Sequence, residues 1–357
     1  MNDGDRFFAQ LYEAFNRAAQ GSLTQHTLCV SGRPVRLLIA GEGMMALWPA
    51  LAHLIATNDD NDDYDYALTI CLWDSATTGI SPPPPPWDTD QYGRHGEIRA
   101  FNTAALRFAF DLGRGMLYAW SAMRKLALCW TSEAHHLPAY ERGAPLLPIW
   151  HWWLSAMGDA LLHAAAVSSD GSGVLIVGRG GSGKSTTALA CLSAGMDYLG
   201  DDYCAVTLGP QPHVHSLFCT AKLHHDNLHR LPCLRHTRRL SEEEKVIFDL
   251  RAEFADRLAR CCELRAILVP AFSNCARPSL EPVSSALALR ALAPSTLFQL
   301  AASGAADFER IAALVKRTPC YRLWLGEEVG AMSDIILELL GATRNESQRH
   351  HPDIQPS

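Results

Sequence analysis

The stretch GVLIVGRGGSGKSTTALACL at residues 173–192 limits the possible folds more than any other part of this chain. It carries Gly178, Gly183, Lys184 and Ser185 in the G-x-x-x-x-G-K-S spacing of a phosphate-binding loop. The apolar run Val174-Leu175-Ile176-Val177 predicts a buried strand, and the Ala/Leu/Thr-rich run that follows the loop predicts a helix. A loop between such elements exposes backbone N–H groups at the helix N-terminus, where aligned peptide dipoles favour an anion. Gly178, Gly180, Gly181 and Gly183 let the backbone curl around phosphate, because glycine tolerates positive φ. Ser182 and Thr186 complete the phosphate-binding set. Lys184 can reach β- and γ-phosphates, and Ser185 can ligate Mg²⁺. The expected cofactors are therefore ATP and Mg.

The rest of the chain narrows the setting. Its 357 residues suffice for about two domains. The net charge of −7 supplies no basic field for nucleic acid, so no nucleic-acid partner is expected. The 11 cysteines are odd in number, scattered and without CxxC spacing, which reads as reduced thiols in a cytoplasmic chain. The first residues carry charge and no apolar core of a signal peptide, and no stretch of about 20 apolar residues appears, so no membrane partner is expected. The Trp150-His151-Trp152-Trp153 cluster reads as aromatic core or an interdomain contact.

Strand-like runs at 27–30 and 35–40 flank a Ser31-Gly32-Arg33-Pro34 turn and predict a hairpin. Helices are expected at 5–20 and 44–56, an acidic loop at 58–66, a strand at 67–73 and antiparallel strands within 97–131. The prolines at 82–86 predict a stiff polyproline II segment. Further on, helices are expected at 150–160, 184–194, 242–258, 294–316 and 330–341. Strands are expected at 162–167, 203–208, 214–218, 264–269 and 321–325. The division read from this pattern is an α+β N-terminal domain at 1–148, which recognises the substrate or regulates, a P-loop domain at 149–342, and a disordered tail at 343–357.

A phosphate loop alone does not say what happens to the phosphate. Gly200-Asp201-Asp202 follows about one helix and a turn after Lys184. One carboxylate placed there can hold Mg²⁺, and the other can take the proton of an attacking hydroxyl. Side chains alternate along a strand, so the two can share a site only at a strand end or a bend. His163, the 178–185 loop and Gly200-Asp201-Asp202, in that order and spacing, resemble the catalytic domain of HPr kinase/phosphorylase, a family related to the phosphoenolpyruvate carboxykinases. The likeness covers residues 160–225 well and extends loosely to about 340.

The resemblance implies an α/β fold with a central mixed sheet flanked by helices. It also implies that Lys184 contacts the β- and γ-phosphates. Ser185 and one of the two aspartates would handle Mg²⁺ and the other would be the base; Asp201 is the preferred base and Asp202 the preferred ligand. His163 would help move protons, and Lys222, Arg238 and Arg239 are candidates to stabilise charge. His225 and His229 would share a face if that segment were α-helical, but no other motif supports zinc there. The segment tied to phosphorolysis in the family has no counterpart here. The chain thus resembles a kinase-only relative of the kind found beside ribosomal-peptide maturation systems, lasso peptides included. The expected activity is an ATP- and Mg-dependent transfer of the γ-phosphoryl group to a serine of a small protein or peptide precursor, by a chain that forms a homo-oligomer. The alternatives are a small-molecule kinase on the same core and a nucleotide-binding switch protein without phosphotransfer.

Overall fold

The computed structural model describes residues 2–56, 64–243, 245–326 and 328–349. It is a mixed α/β protein with several sheets. The chain divides into two compact units. One comprises Met1–Leu161, Leu217–Thr220 and Thr296–Asp307; the other comprises Leu162–Ser216, Ala221–Ser295 and Phe308–Ser357. The acidic stretch expected at 58–66 lies, up to residue 63, outside the described residues.

The first unit is built on a six-stranded sheet of β1 (Leu23–Val30), β2 (Arg33–Ala40), β3 (Leu68–Asp74), β4 (Leu106–Asp111), β5 (Met116–Ser121) and β6 (Leu126–Thr131), in the order β1-β2-β3-β6-β5-β4. The β2–β3 and β3–β6 pairs are parallel and the others antiparallel. The β1–β2 connection is a two-residue hairpin whose Ser31 and Gly32 both take positive φ, the backbone that matches strand twist. Helix α1 (Asp3–Ala18) starts where the Asn2 side chain accepts from the Asp5 N–H at 2.8 Å. Its Phe7, Phe8, Leu11 and Phe15 lie in one cluster with Trp73, Phe108, Ala119 and Leu128 of the sheet. Helix α2 (Leu147–Ala156) is buried nearly all round, and the Trp152 indole donates to the Ala301 carbonyl at 3.1 Å. The tryptophan cluster is therefore core. Where one helix is expected at 44–56, residues 43–54 form two 3-10 turns flanking a four-residue helix that contains Pro49.

The short strand β7 (Ala160–Leu162) spans the end of the first segment of the first unit, and the second unit continues with β8 (Ala164–Ser169) and β9 (Ser172–Val177). The latter two form a hairpin that turns on Asp170 and Gly171, both at positive φ. Then come helix α3 (Lys184–Ser193), β10 (Asp197–Gly200), β11 (Cys204–Thr207), β12 (His213–Ser216), β13 (Thr220–His224), β14 (Arg239–Glu242), β15 (Lys245–Asp249), β16 (Cys261–Phe272) and β17 (Ser279–Pro282). Helices α4 (Ser285–Leu297) and α5 (Ala305–Arg317), strand β18 (Cys320–Leu325) and helix α6 (Ala331–Arg349) close the chain. The main sheet runs β10-β8-β9-β16-β12-β11, with β18 beside β16 and β17 beside β18; β13, β15 and β14 form a separate sheet. Strand β9 is buried along its whole length between antiparallel β8 and parallel β16. Its Val174 and Ile176 pack with Leu189 and Leu192 of α3, Leu268, Leu323 and Ile336.

Three expectations change here. Residues 242–258 are not one helix: β14 and β15 occupy the first part, and only Arg251–Phe254 is α-helical. The β-branched and aromatic run Val246-Ile247-Phe248 is buried, and cross-strand burial overrides the helix preference of the neighbouring Glu and Lys residues. The helix expected at 294–316 is split between α4 and α5, with Ala302 at positive φ between them. Helix α6 extends to Arg349, and residues 350–357 of the expected tail lie outside the described residues. All eleven cysteines are free. Among the described residues, no helix is long and apolar enough to cross a membrane.

Candidate functional site

The register of the β8–β9 hairpin does the first positioning. Ala164 pairs with Val177, so His163 and Gly178 leave the sheet at the same end. His163 therefore lies just before β8, not within a strand as expected, and beside the glycine loop. Gly178, Gly181 and Gly183 all have positive φ. A Cβ on Gly183 would lie 2.5 Å from Leu325 Cδ1, and one on Gly178 would lie 2.7 Å from Ser182 Oγ. Glycine at both positions suits the backbone conformation, and a side chain there would also have to displace its neighbour. Helix α3 begins after Gly183 with no side-chain cap, which leaves its first-turn N–H groups for another partner.

Lys184 is 7% exposed, and its Nζ donates to the Gly178 carbonyl at 2.8 Å and the Arg179 carbonyl at 3.3 Å. Burial lowers its pKa; Asp202 and Asp201 oppose that, and the charge of Lys245 adds to it. Ser182 Oγ is buried without a hydrogen-bond partner. The uncapped helix start, the orphaned hydroxyl and a lysine aimed into the glycine loop fit a phosphate group.

The carboxylates meet the alternation problem with a bend. Strand β10 shifts register between Tyr198 and Gly200 against β8, and the chain then turns at Asp201 and Asp202 before β11 begins. Both side chains can then face one site. Asp201 is 3% exposed. It accepts from the Lys222 N–H at 2.9 Å, from the Ser185 hydroxyl and from the Tyr198 phenol. Burial and the neighbouring Asp202 charge push its pKa up to about 6, against those donors. Burial acts on Asp202 in the same direction, but the Lys222 charge and the His163 hydrogen bond outweigh it and hold Asp202 well below the usual carboxylate range. Lys222 Nζ donates to Asp202 Oδ2 at 2.6 Å, and His163 Nε2 lies 3.2 Å from Asp202 Oδ1. On its other side His163 Nδ1 lies 3.1 Å from the Ser295 carbonyl, and its ring leans on Tyr203 at 5.1 Å. Asp202 keeps 26% side-chain exposure, so of the two carboxylates it is the one open to solvent.

The structure thus brings together His163, the 178–186 loop, Asp201, Asp202 and Lys222. Arg238 and Arg239 are engaged elsewhere: Arg238 faces Asp249 at 3.9 Å, and Arg239 pairs with Glu242 at 3.0 Å and lies over the Phe248 ring. Residues 225–230 form a 3-10 helix, in which His225 and His229 do not share a face, and His225 Nε2 contacts the Glu243 carbonyl at 2.9 Å. Sequence reasoning missed Tyr198, Lys245 and the contact of Ser185 with Asp201. The Tyr198-x-x-Asp201 spacing could have drawn attention to the tyrosine, whereas nothing local to Lys245 could have.

No family model matches this chain, and no curated protein matches it. Among solved structures it is weakly similar to the HPr(Ser) kinase/phosphatase from Coxiella burnetii, at 12% identity and a TM-score of 0.31, over 54% of this chain and 96% of that one. The functional reading therefore rests on the site's geometry.

Proposed function

We propose that the second unit is a P-loop kinase core of the HPr kinase/carboxykinase type and transfers the γ-phosphoryl group of ATP to a hydroxyl. The observation that carries this reading is the division of labour within the Asp pair beside the glycine loop. Asp201, with a pKa near 6, is matched to accept a proton at neutral pH. Asp202, held ionised by Lys222, is matched to remain a permanent anion.

In this reading the N–H groups at the start of α3 and Lys184 bind and orient the phosphates. Ser185 and Asp202 would hold Mg²⁺, which supplies neutralisation of phosphate charge. Asp201 takes the acceptor's hydroxyl proton as the acceptor oxygen bonds to the γ-phosphorus and the bond from that phosphorus to the bridging oxygen of ADP breaks. His163 fixes the orientation of Asp202, and Lys222 balances its charge. The acceptor is a serine of a small protein or ribosomal peptide precursor, and the first unit recognises it.

The test is an assay with γ-labelled ATP, Mg²⁺ and a library of serine-containing peptides. Label on a peptide serine that Lys184→Ala and Asp201→Asn each abolish supports the reading. Tight nucleotide binding with no label on any peptide or small hydroxyl compound contradicts it.

A further inference from the structure

We propose that Glu133, His135 and His136 in the first unit form a binding site for one divalent transition-metal ion of the zinc class. These residues follow β6 in a tight turn with firm anchors. The Ser132 carbonyl accepts from the Ala76 N–H at 2.9 Å, and Ala134 and Leu137 are buried at 0% and 3% exposure. Backbone bonds from His136 N to the Glu133 carbonyl (3.2 Å) and from Leu137 N to the Ala134 carbonyl (3.1 Å) close the 3-10 turn. With Ala134 and Leu137 fixed inward, the three polar side chains between and beside them project together into solvent.

Their donor atoms already converge. Glu133 Oε2 lies 2.8 Å from His136 Nδ1 and 3.6 Å from His135 Nε2, and the two imidazole rings are 4.0 Å apart. All three ligand atoms fall within 4.8 Å of one another. Two ligands bound at about 2.1 Å around a tetrahedral ion lie roughly 3.4 Å apart, and the two measured separations straddle that value. Small side-chain rotations would complete the set without moving the anchored backbone.

The donor set selects the ion. Two imidazoles and one carboxylate suit zinc, nickel or copper, whereas Mg²⁺ prefers oxygen ligands alone. The site is therefore chemically distinct from the magnesium position proposed beside Ser185 and Asp202. Side-chain exposures of 48%, 66% and 71% leave the remaining coordination position to water or to a donor from a partner.

The experiment is a titration of the full chain with Co²⁺ followed by visible absorption, paired with Zn²⁺ calorimetry at neutral pH. The expected result is one equivalent bound, with a ligand-field spectrum that lacks thiolate charge transfer. His135→Ala, His136→Ala and Glu133→Gln should each weaken binding by about tenfold or more, while His225→Ala leaves it unchanged. All four positions are exposed, and circular dichroism checks that each variant is folded. Binding that survives the His135→Ala/His136→Ala double variant, a thiolate band, or no binding by the intact chain would overturn the proposal.

Discussion

Glu141 in the first unit and Asp201 in the second are both almost wholly buried, at 1% and 3% exposure, yet their surroundings differ in kind. Glu141 is surrounded by donors, and its cationic neighbour Arg114 also holds Asp111 at 3.0 Å. It accepts from the Tyr118 phenol at 3.2 Å and the Leu146 N–H at 3.1 Å, and the Arg114 guanidinium lies 3.4 Å away. Asp201 also has donors, but it sits next to a second carboxylate of the same charge. Asp74, another buried carboxylate of the first unit, ends β3 and caps a short helix through the Thr77 N–H. Burial and good hydrogen bonding therefore do not mark a reactive carboxylate, since they describe structural ones equally well. What marks the second unit is a pair of adjacent, like-charged carboxylates that act electrostatically on the lysine of the glycine loop, an arrangement that costs stability and is matched to chemistry.

The largest effect expected is at Asp201. Asp201→Asn keeps the shape and removes the proton acceptor, so phosphotransfer should fall by about 10²–10⁴-fold in the labelled-ATP assay. Stability should move the other way. Its folded pKa of about 6 lies above the usual carboxylate value, so Asp201 favours the fold in acid, and that contribution is lost as pH rises through 6. Above that pH the substitution should stabilise the protein by about 1–3 kcal/mol in urea denaturation. Equal losses of activity and stability would erase the contrast with Glu141.

Next comes Asp202→Asn, which removes the charged carboxylate that the mostly buried Lys222 ammonium donates to. Stability at neutral pH should drop by up to about 3 kcal/mol. The sign opposes that of Asp201: the depressed pKa of Asp202 contributes stability above the ordinary carboxylate range and loses it as pH falls, so the two proteins should converge in acid. Glu141→Gln should cost about 1.5–3 kcal/mol by the same measurement and leave phosphotransfer by the folded protein unchanged. The smallest effect belongs to Arg239→Ala. Its pair with Glu242 is largely solvent-exposed, so stability should change by no more than about 1 kcal/mol and activity not at all. A marked loss of turnover would instead bring the 238–239 segment into the site.

Sequence made the second unit's centre legible because its parts are local. The strand Val174–Val177, the four glycines and Lys184 lie within a dozen residues, and each has a single physical reason to be where it is. The Asp pair was legible as a pair. Its separation into a carboxylate with raised pKa and one with lowered pKa was not, because that depends on Lys222 and His163 arriving from distant parts of the chain. The 242–258 error has the same origin: Glu and Lys around Val246-Ile247-Phe248 favour a helix locally, and only pairing of β15 with its neighbours reverses it. In the first unit the hairpin and α1 could be read from periodicity. The β1-β2-β3-β6-β5-β4 order could not, since parallel pairing of β3 with β6 joins residues more than fifty positions apart.

The central claim, that two adjacent carboxylates divide into one that titrates near neutrality and one that does not, can be measured without knowing the acceptor. Carbon-13 labelling of aspartate carboxyl groups, followed by NMR across the pH range in the wild type and in Asp201→Asn, isolates the resonance in question. The account predicts one carboxyl titrating with a midpoint near 6 that vanishes in the variant, and a second, lost in Asp202→Asn, that stays ionised until the protein unfolds in acid. Two carboxyls that titrate together in the ordinary range would contradict it.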